Sequence, residues 1–342
     1  MNARKKYSVV FITERGQRHQ QAALAAAPEI LDIVMLRHPD QETLSYHLAE
    51  ADYLISERSG TVDSRMMKVA PKLKMILRLG SVTHDIDIEA AREAGVIVCY
   101  WPVATVIRVA EHVMMQILAL SKKLRDSEAI TLAASSEWGE SKRTDEDTFA
   151  YNWSDRQNVE GVWQRTIGIL GLGEIGTELA RRLDGWGCKL IYHKRRRLPE
   201  RVEAELGLTY VVRDMLFIQS DYVANLLPYF SNTDMLINAD IFAKMKDGAC
   251  IVSCGSGSVI DEHALAEAIR SGKLGGAALD TFEWEPIKAD NPLIGLAKDN
   301  FNVLLTPHIA AGAAAAAELE RASDYTNIIN DINGAALKYR VT

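Results

Sequence analysis

Thr166-Ile-Gly-Ile-Leu-Gly171-Leu-Gly173-Glu174-Ile175-Gly176-Thr-Glu-Leu-Ala-Arg-Arg-Leu183 is the stretch whose reading decides the fold of this chain. A short apolar run of strand type enters a glycine turn and leaves it as a helix-period pattern. Gly171 permits the tight turn, Gly173 lets the backbone approach a pyrophosphate, and Gly176 allows helix and strand to pack closely. Glu174 and Ile175 open a helix whose unpaired N–H groups face the anion. The spacing alone says little, since a glycine turn also serves plain packing. Between a strand and a helix it reads as a dinucleotide-binding turn.

The next strand, Lys189 to Tyr192, ends at His193-Lys194-Arg195-Arg196-Arg197. A fold that holds NAD usually carries an acidic residue here, which accepts the ribose hydroxyls and repels a 2′-phosphate. No acid is present. Lys194 and one or more of the arginines, Arg195 and Arg196 among them, can pair with a 2′-phosphate through charge-assisted hydrogen bonds, so NADP(H) is preferred and NAD(H) remains possible. The competing reading is a run of cations that simply faces water.

Outward from this turn, short apolar runs alternate with helical spacing along most of the 342 residues. Runs at Ser8–Ile12, Ile33–Leu36, Tyr53–Ile55, Lys74–Leu77 and Val96–Cys99 make a first series. Those from Thr166–Leu170 to Asn302–Leu305 make a second, larger one. A long apolar helix over Val103–Lys123 and a polar stretch over Ser135–Asn158 lie between the two, and an alanine-rich helix is expected from Ala310 to Ala317. The fold class is α/β: two Rossmann-like or flavodoxin-like domains with doubly wound parallel sheets and an interdomain cleft. The expected division is 1–102 plus 313–342 for a discontinuous substrate domain and 103–312 for the dinucleotide domain.

Composition narrows the function classes. A formal charge of -7 gives no general attraction to nucleic acid or to acidic membranes, so an anion must be met by a local cluster such as Lys194–Arg197. Tyr7–Ile12 is too short for a signal segment or a spanning helix. The four cysteines, Cys99, Cys188, Cys250 and Cys254, lack paired metal-ligand spacing and read as reduced thiols, which implies a cytoplasmic protein with no metal.

Several further motifs occur in a fixed order: Ala70-Pro-Lys-Leu-Lys, Asp85 to Val96, Val109-Ala-Glu-His112, Leu227-Pro228 with Thr233, Ile260-Asp-Glu-His-Ala-Leu, Gly276 to Pro286, and Thr306-Pro-His308-Ile-Ala310. From about Tyr53 to Gly312 the chain resembles the D-isomer-specific 2-hydroxyacid dehydrogenases, the family of phosphoglycerate dehydrogenase and glyoxylate/hydroxypyruvate reductase. That resemblance implies hydride transfer between a nicotinamide and a small 2-oxo or 2-hydroxy acid. It implies His308 as proton donor to the carbonyl oxygen and Glu285 as the partner that keeps a proton on the imidazole near neutrality. Asp280 is implied as holder of the nicotinamide carboxamide. Thr105, Leu227, Pro228, Thr233, Cys254 and Gly255 are implied around the cofactor, with Arg58, Gly80 and Ser81 toward the substrate. Trp138, Trp153 and Trp163 fall where the family builds a homodimer interface, with core packing as the alternative.

One departure stands out. Twenty-nine residues before Glu285 the family carries an arginine that clamps the substrate's carboxylate and carbonyl, and the loop here reads Val252-Ser-Cys254-Gly255-Ser256-Gly-Ser-Val. A neutral hydroxyl at Ser256 cannot replace a bidentate guanidinium, and loss of such a transition-state donor costs about 3–4 kcal/mol. Leu79-Gly80-Ser81-Val82 and Tyr100-Trp-Pro-Val103 also differ from the family by added bulk. Arg58, Arg78 and Arg108 are the substitute cations to weigh, against a plain role in surface ion pairs. His84 and His112 read as a loop residue and a packed helix histidine. Two functions therefore stand: an NADP(H)-preferring oxidoreductase with an altered clamp, and a catalytically degenerate NADP(H)-binding or sensing protein. Phosphoglycerate dehydrogenase proper loses ground for want of the arginine.

Overall fold

The computed structural model describes residues 6–57, 59–312 and 321–342, and the chain divides into two compact units, 1–108 with 311–342, and 109–310. Both are parallel α/β sheets. In the first, β1 (Tyr7–Thr13), β2 (Leu31–Arg37), β3 (Tyr53–Glu57), β4 (Met75–Leu79) and β5 (Ile97–Trp101) lie in the order β2-β1-β3-β4-β5. β3 and β4 are buried at every position, as strands covered by helices on both faces must be.

Alternate residues feed two cores. Val10, Ile12, Leu54, Ile76 and Val98 point to one side, while Val9, Phe11, Tyr53, Ile55, Met75 and Leu77 point to the other. The second of these cores is closed by Tyr325 and Ile328 from the far end of the chain. Hydrogen bonds fix that return: the Tyr325 hydroxyl donates to Ala23 O at 2.6 Å, the Tyr53 hydroxyl to Asp331 at 2.7 Å, and Val98 N to Thr342 Oγ1 at 2.8 Å.

The second unit holds β6 (Thr166–Leu170), β7 (Lys189–His193), β8 (Leu208–Tyr210), β9 (Tyr222–Asn225), β10 (Ala249–Ser253), β11 (Leu274–Leu279) and β12 (Val303–Leu305). Their order is β12-β11-β10-β9-β6-β7-β8. All pairs are parallel, so every loop that follows a strand emerges at the same edge of the sheet. The strand order reverses between β6 and β9, the crevice where such sheets bind their ligands.

The helix Ala104–Ser121 is long and apolar enough to cross a membrane by length and composition, yet Ala110, Val113, Ile117 and Leu120 are buried against Ile167, Ile169 and Leu179. A break at Lys123, with φ 46°, leads to a second helix, Leu124–Ala133, that has no buried residue. The polar stretch beyond it contains one 3-10 turn, Ser136–Trp138. Trp153 and Trp163 are 46% and 69% exposed, so neither fills a core. Of the alanine-rich segment Ala310–Ala317, expected to start a helix, Ala310 and Ala311 form a turn and 313–320 lie outside the described residues.

Candidate active site

At the β6–β9 crevice the glycine turn takes the shape its sequence implies. Gly171 has φ +90°, and a Cβ there would lie 3.0 Å from the backbone of Leu226 and Leu227, so both conformation and space require glycine. A Cβ on Gly176 would press on Leu172 and Ile169 at 3.0 and 3.1 Å, which marks the close approach of helix and strand. Gly173 is different. It N-caps the helix Glu174–Leu183, no side chain caps the helix, and nothing lies within 4 Å of where its Cβ would be. Open space over uncapped N–H groups fits a pyrophosphate.

Leu227 follows β9 and meets this turn through the Gly171 contact, and Pro228 continues the same loop. Thr233 shapes the rest of that loop: its hydroxyl accepts from Phe230 N at 2.8 Å and lies 3.1 Å from Pro228 O. Phe230 in turn sits under the Arg195 guanidinium at 5.5 Å. Of the basic run, Arg197 is committed elsewhere, donating to both Glu203 oxygens at 2.9 and 2.6 Å, while Tyr192 donates to the same carboxylate at 2.7 Å. Arg197 is thus taken up by Glu203, while Arg195 lies over Phe230.

The positions that the family resemblance implies as catalytic lie on the loops after β10, β11 and β12. Ser256 N donates to Leu227 O at 2.8 Å, and the Ser256 hydroxyl makes no hydrogen bond among the described residues. Its neighbours pack tightly. A Cβ on Gly255 would meet Leu227 O at 2.6 Å, one on Gly257 would overlap Phe282, and Thr281 Oγ1 donates to Gly255 O at 2.7 Å. Phe282 N donates to Glu285 Oε1 at 3.2 Å, and Glu285 Oε2 is 2.6 Å from His308 Nδ1. These contacts tie the Ser256 loop to the Glu285–His308 pair. With Nδ1 engaged, the other ring nitrogen of His308 is left for a substrate, and the side chain is 58% exposed.

His308 has φ 54°, the left-handed region that costs a non-glycine residue on the order of 1–3 kcal/mol. Asp280 holds the loop in place. Its Oδ1 accepts from Ile309 N at 3.0 Å and from the Thr306 hydroxyl at 2.6 Å, and its Oδ2 accepts from Ala310 N at 2.8 Å. A carboxylate offers about four acceptor sites, so these three bonds leave little of Asp280 for a carboxamide beyond Oδ2.

His112 lies 3.1 Å from Thr306 Oγ1 and 3.6 Å from Asp280 Oδ1. Cys254 donates its S–H to Gln116 Oε1 at 3.4 Å, and burial pushes that thiol far above its ordinary range. His112, Cys254 and Asp280 bring three donor atoms within 4.8 Å of one another, a grouping that sequence spacing missed. A metal there would have to displace the Thr306 bond and strip a proton from a thiol that burial keeps protonated.

Thr105, Gly80 and Ser81 belong to the first unit, and Arg58 lies outside the described residues. Arg78 is 3% exposed and donates to Asp85 at 3.0 Å and to Leu79 O, so it is spent inside the first unit and drops out as a substitute clamp.

A family model described as "D-isomer specific 2-hydroxyacid dehydrogenase, NAD binding domain" matches residues 114–310, more than half of the chain. The chain belongs to that family. It is 32% identical over 298 residues to a D-3-phosphoglycerate dehydrogenase of Mycobacterium leprae, covering 86% of this chain and 52% of that one. To a glyoxylate reductase of Thermococcus onnurineus it is 34% identical over 279 residues, covering 81% and 79%. A solved structure from Pyrococcus horikoshii OT3 is similar at a TM-score of 0.57 with 28% identity, covering 98% of this chain and 95% of the other. The chain spans about half the length of the phosphoglycerate dehydrogenases it matches. The second unit is therefore the nicotinamide-dinucleotide-binding domain of a 2-hydroxyacid dehydrogenase-family protein.

Proposed function

We propose that this chain is an NADP(H)-preferring oxidoreductase that transfers hydride between a nicotinamide and a small 2-oxo or 2-hydroxy acid or a related carbonyl compound. The observation that carries the reading is the His308–Glu285 pair at 2.6 Å in a domain with an open dinucleotide turn. The nicotinamide, when bound, supplies or accepts the hydride. The rest is done by this chain. Gly171, Gly173 and the N–H groups at Glu174 and Ile175 hold the pyrophosphate, while Lys194, Arg195 and Arg196 meet a 2′-phosphate. His308 gives a proton to the substrate oxygen as negative charge grows there, and Glu285, 2.6 Å from Nδ1, orients the ring.

Ser256 occupies the clamp position and offers one neutral hydroxyl. A substrate with a weaker demand for a cation, or a carbonyl compound without a carboxylate, suits that position better than a 2-oxo acid does. The intact His308–Glu285 pair favours chemistry over a purely sensing role. The supporting experiment is a screen of glyoxylate, hydroxypyruvate and phosphohydroxypyruvate beside uncharged carbonyls with NADPH and NADH. Turnover that falls at least about a hundredfold in His308→Ala supports the reading. Tight cofactor binding with no turnover of any carbonyl compound makes the chain a cofactor-binding protein instead. Ser256→Arg is expected to raise 2-oxo acid reduction by about 10²–10³.

A homodimer in a reducing, cytoplasmic setting completes the proposal. Phe149 and Tyr151 are each 81% exposed and stack on each other, Trp138 packs edge-on against Trp153, and all four cysteines are free. Phe149, Tyr151 and Trp153 are exposed, and exposed aromatic side chains of this kind are the usual make-up of a protein interface.

A further inference from the structure

We infer that His112 is a positioning residue for His308, acting through the Thr306 hydroxyl and the Asp280 carboxylate. The inference rests on the proposed function only in giving His308 a proton to deliver. The contacts themselves are properties of the second unit.

Proton bookkeeping orients the chain of bonds. The Asp280 carboxylate accepts and does not donate, so the Thr306 hydroxyl spends its one proton on Asp280 Oδ1 at 2.6 Å. What Thr306 turns toward His112 is therefore a lone pair, and His112 Nε2, 3.1 Å away, must carry the hydrogen. The sequence of donors runs from His112 Nε2–H to Thr306 Oγ–H to Asp280 Oδ1. Asp280 in turn accepts from Ile309 N and Ala310 N, the two amides that follow His308.

Asp280 is 1% exposed and forms no ion pair with a lysine or arginine among the described residues. Its charge is balanced by hydrogen-bond donors alone, and each donor matters more for that. The titratable groups that face His112 are Asp280 from the loop after β11 and Cys254 from the loop after β10. Burial lowers the imidazole below its ordinary range against the pull of Asp280, which suits the neutral ring that the donor chain requires. Removing the His112 donor loosens Thr306, leaves Asp280 freer to rotate, and weakens the hold on the two amides that keep His308 in its left-handed conformation.

The test uses the whole chain with His112→Phe, His112→Gln, Thr306→Val and Thr306→Ser. Hydrogen exchange of the peptide carrying residues 306–310 is followed without cofactor, beside kcat and cofactor KM for whichever carbonyl compound is turned over. His112→Phe and Thr306→Val should speed exchange at Ile309 and Ala310 by about tenfold, the equivalent of one lost hydrogen bond. They should lower kcat by a comparable factor with little change in KM. His112→Gln and Thr306→Ser, which restore a donor and a hydroxyl, should recover most of both losses. Exchange within twofold of wild type in both disruptive variants, or equal losses in the conservative ones, overturns the relay. If either disruptive variant fails to fold, the other decides. Wild-type protein that turns over no carbonyl compound overturns the oxidoreductase reading, and the exchange result still judges the relay.

Discussion

Arg195 and Arg197 are two residues apart and carry the same charge, yet they should respond in opposite ways to substitution. Arg197 is fixed by two hydrogen bonds to Glu203, whereas Arg195 lies over Phe230 at the edge of the dinucleotide crevice. A charge-assisted hydrogen bond contributes about 1.5–3 kcal/mol, and solvent exposure reduces it toward about 1 kcal/mol. Replacing Lys194 and Arg195 together by serine removes two such contacts to a 2′-phosphate. The loss is about 2 kcal/mol, or roughly thirtyfold in the ratio of NADPH to NADH dissociation constants.

Phe230→Ala, which removes only the ring beneath Arg195, should move the ratio by roughly two- to fivefold. Arg197→Ala should leave the ratio within about twofold and lower the melting temperature instead, because Glu203 loses both guanidinium donors and keeps only the Tyr192 hydroxyl. Fluorescence titration of both cofactors at two salt concentrations measures all of this, and added salt should shrink the NADPH advantage in the wild type. If the double variant keeps its ratio within about threefold of wild type, the bases do not read the phosphate. An Arg197 variant that shifts the ratio as far as the double variant would show that the wrong cations have been assigned.

Gly171→Ala should abolish dinucleotide binding and cost about 1–3 kcal/mol in urea unfolding, since the new methyl meets the Leu226–Leu227 backbone at a positive φ; unchanged binding would refute the turn's role. In the first unit, burial pushes the Glu57 carboxyl up, but Arg321, Arg15 and Thr13 outweigh it and hold it below the ordinary range. Its stabilisation is therefore complete above the ordinary carboxylate value near pH ~4.3 and is lost as pH falls through the lower folded value. Glu57→Gln should cost about 3 kcal/mol at neutral pH and flatten the acid limb of the stability curve, so that wild type and variant converge as pH falls below the ordinary carboxylate value; parallel curves would exclude the effect. Phe149→Asp with Tyr151→Asp should yield monomers by light scattering, and an unchanged mass would move the interface elsewhere.

What was legible in the sequence is what local chemistry fixes. The turn at Gly171–Gly176 announces itself because its glycines, strand and helix are contiguous. The Glu285–His308 pair was readable through the family resemblance, although 23 residues separate the two. Less visible were features whose partner lies far along the chain or whose signal is an absence. His112 looked like a packed helix histidine because Thr306, which gives it a role, is 194 residues away. Its one sequence clue was the i, i+4 spacing to Gln116, which puts two polar groups on a face otherwise apolar. Arg197 looked interchangeable with its neighbours until Glu203, on the following helix, claimed it. The helix Leu124–Ala133 buries nothing, so it has no apolar face to betray its period. Trp153 and Trp163, which the resemblance places at an interface with core packing as the alternative, are exposed in the single chain, which removes the core alternative for those two.

The first unit is made of two separate segments, 1–108 and 311–342, with the second unit inserted between them in the sequence. On a ribosome this inverts the usual order of maturation. β1 to β5 emerge first but lack Tyr325 and Ile328, the side chains that seal one of their two cores. The second unit emerges complete by Ala310 and is free to fold during synthesis, while the earlier-made strands wait for Tyr325 and Ile328. Val9, Phe11 and Ile55 remain uncovered on that face in the interval, on a sheet whose long-range parallel pairings form slowly. Truncation of the final twenty or so residues would therefore harm the beginning of the protein more than its middle, and the nascent chain is the state in which this enzyme family member is most open to aggregation and to chaperone capture.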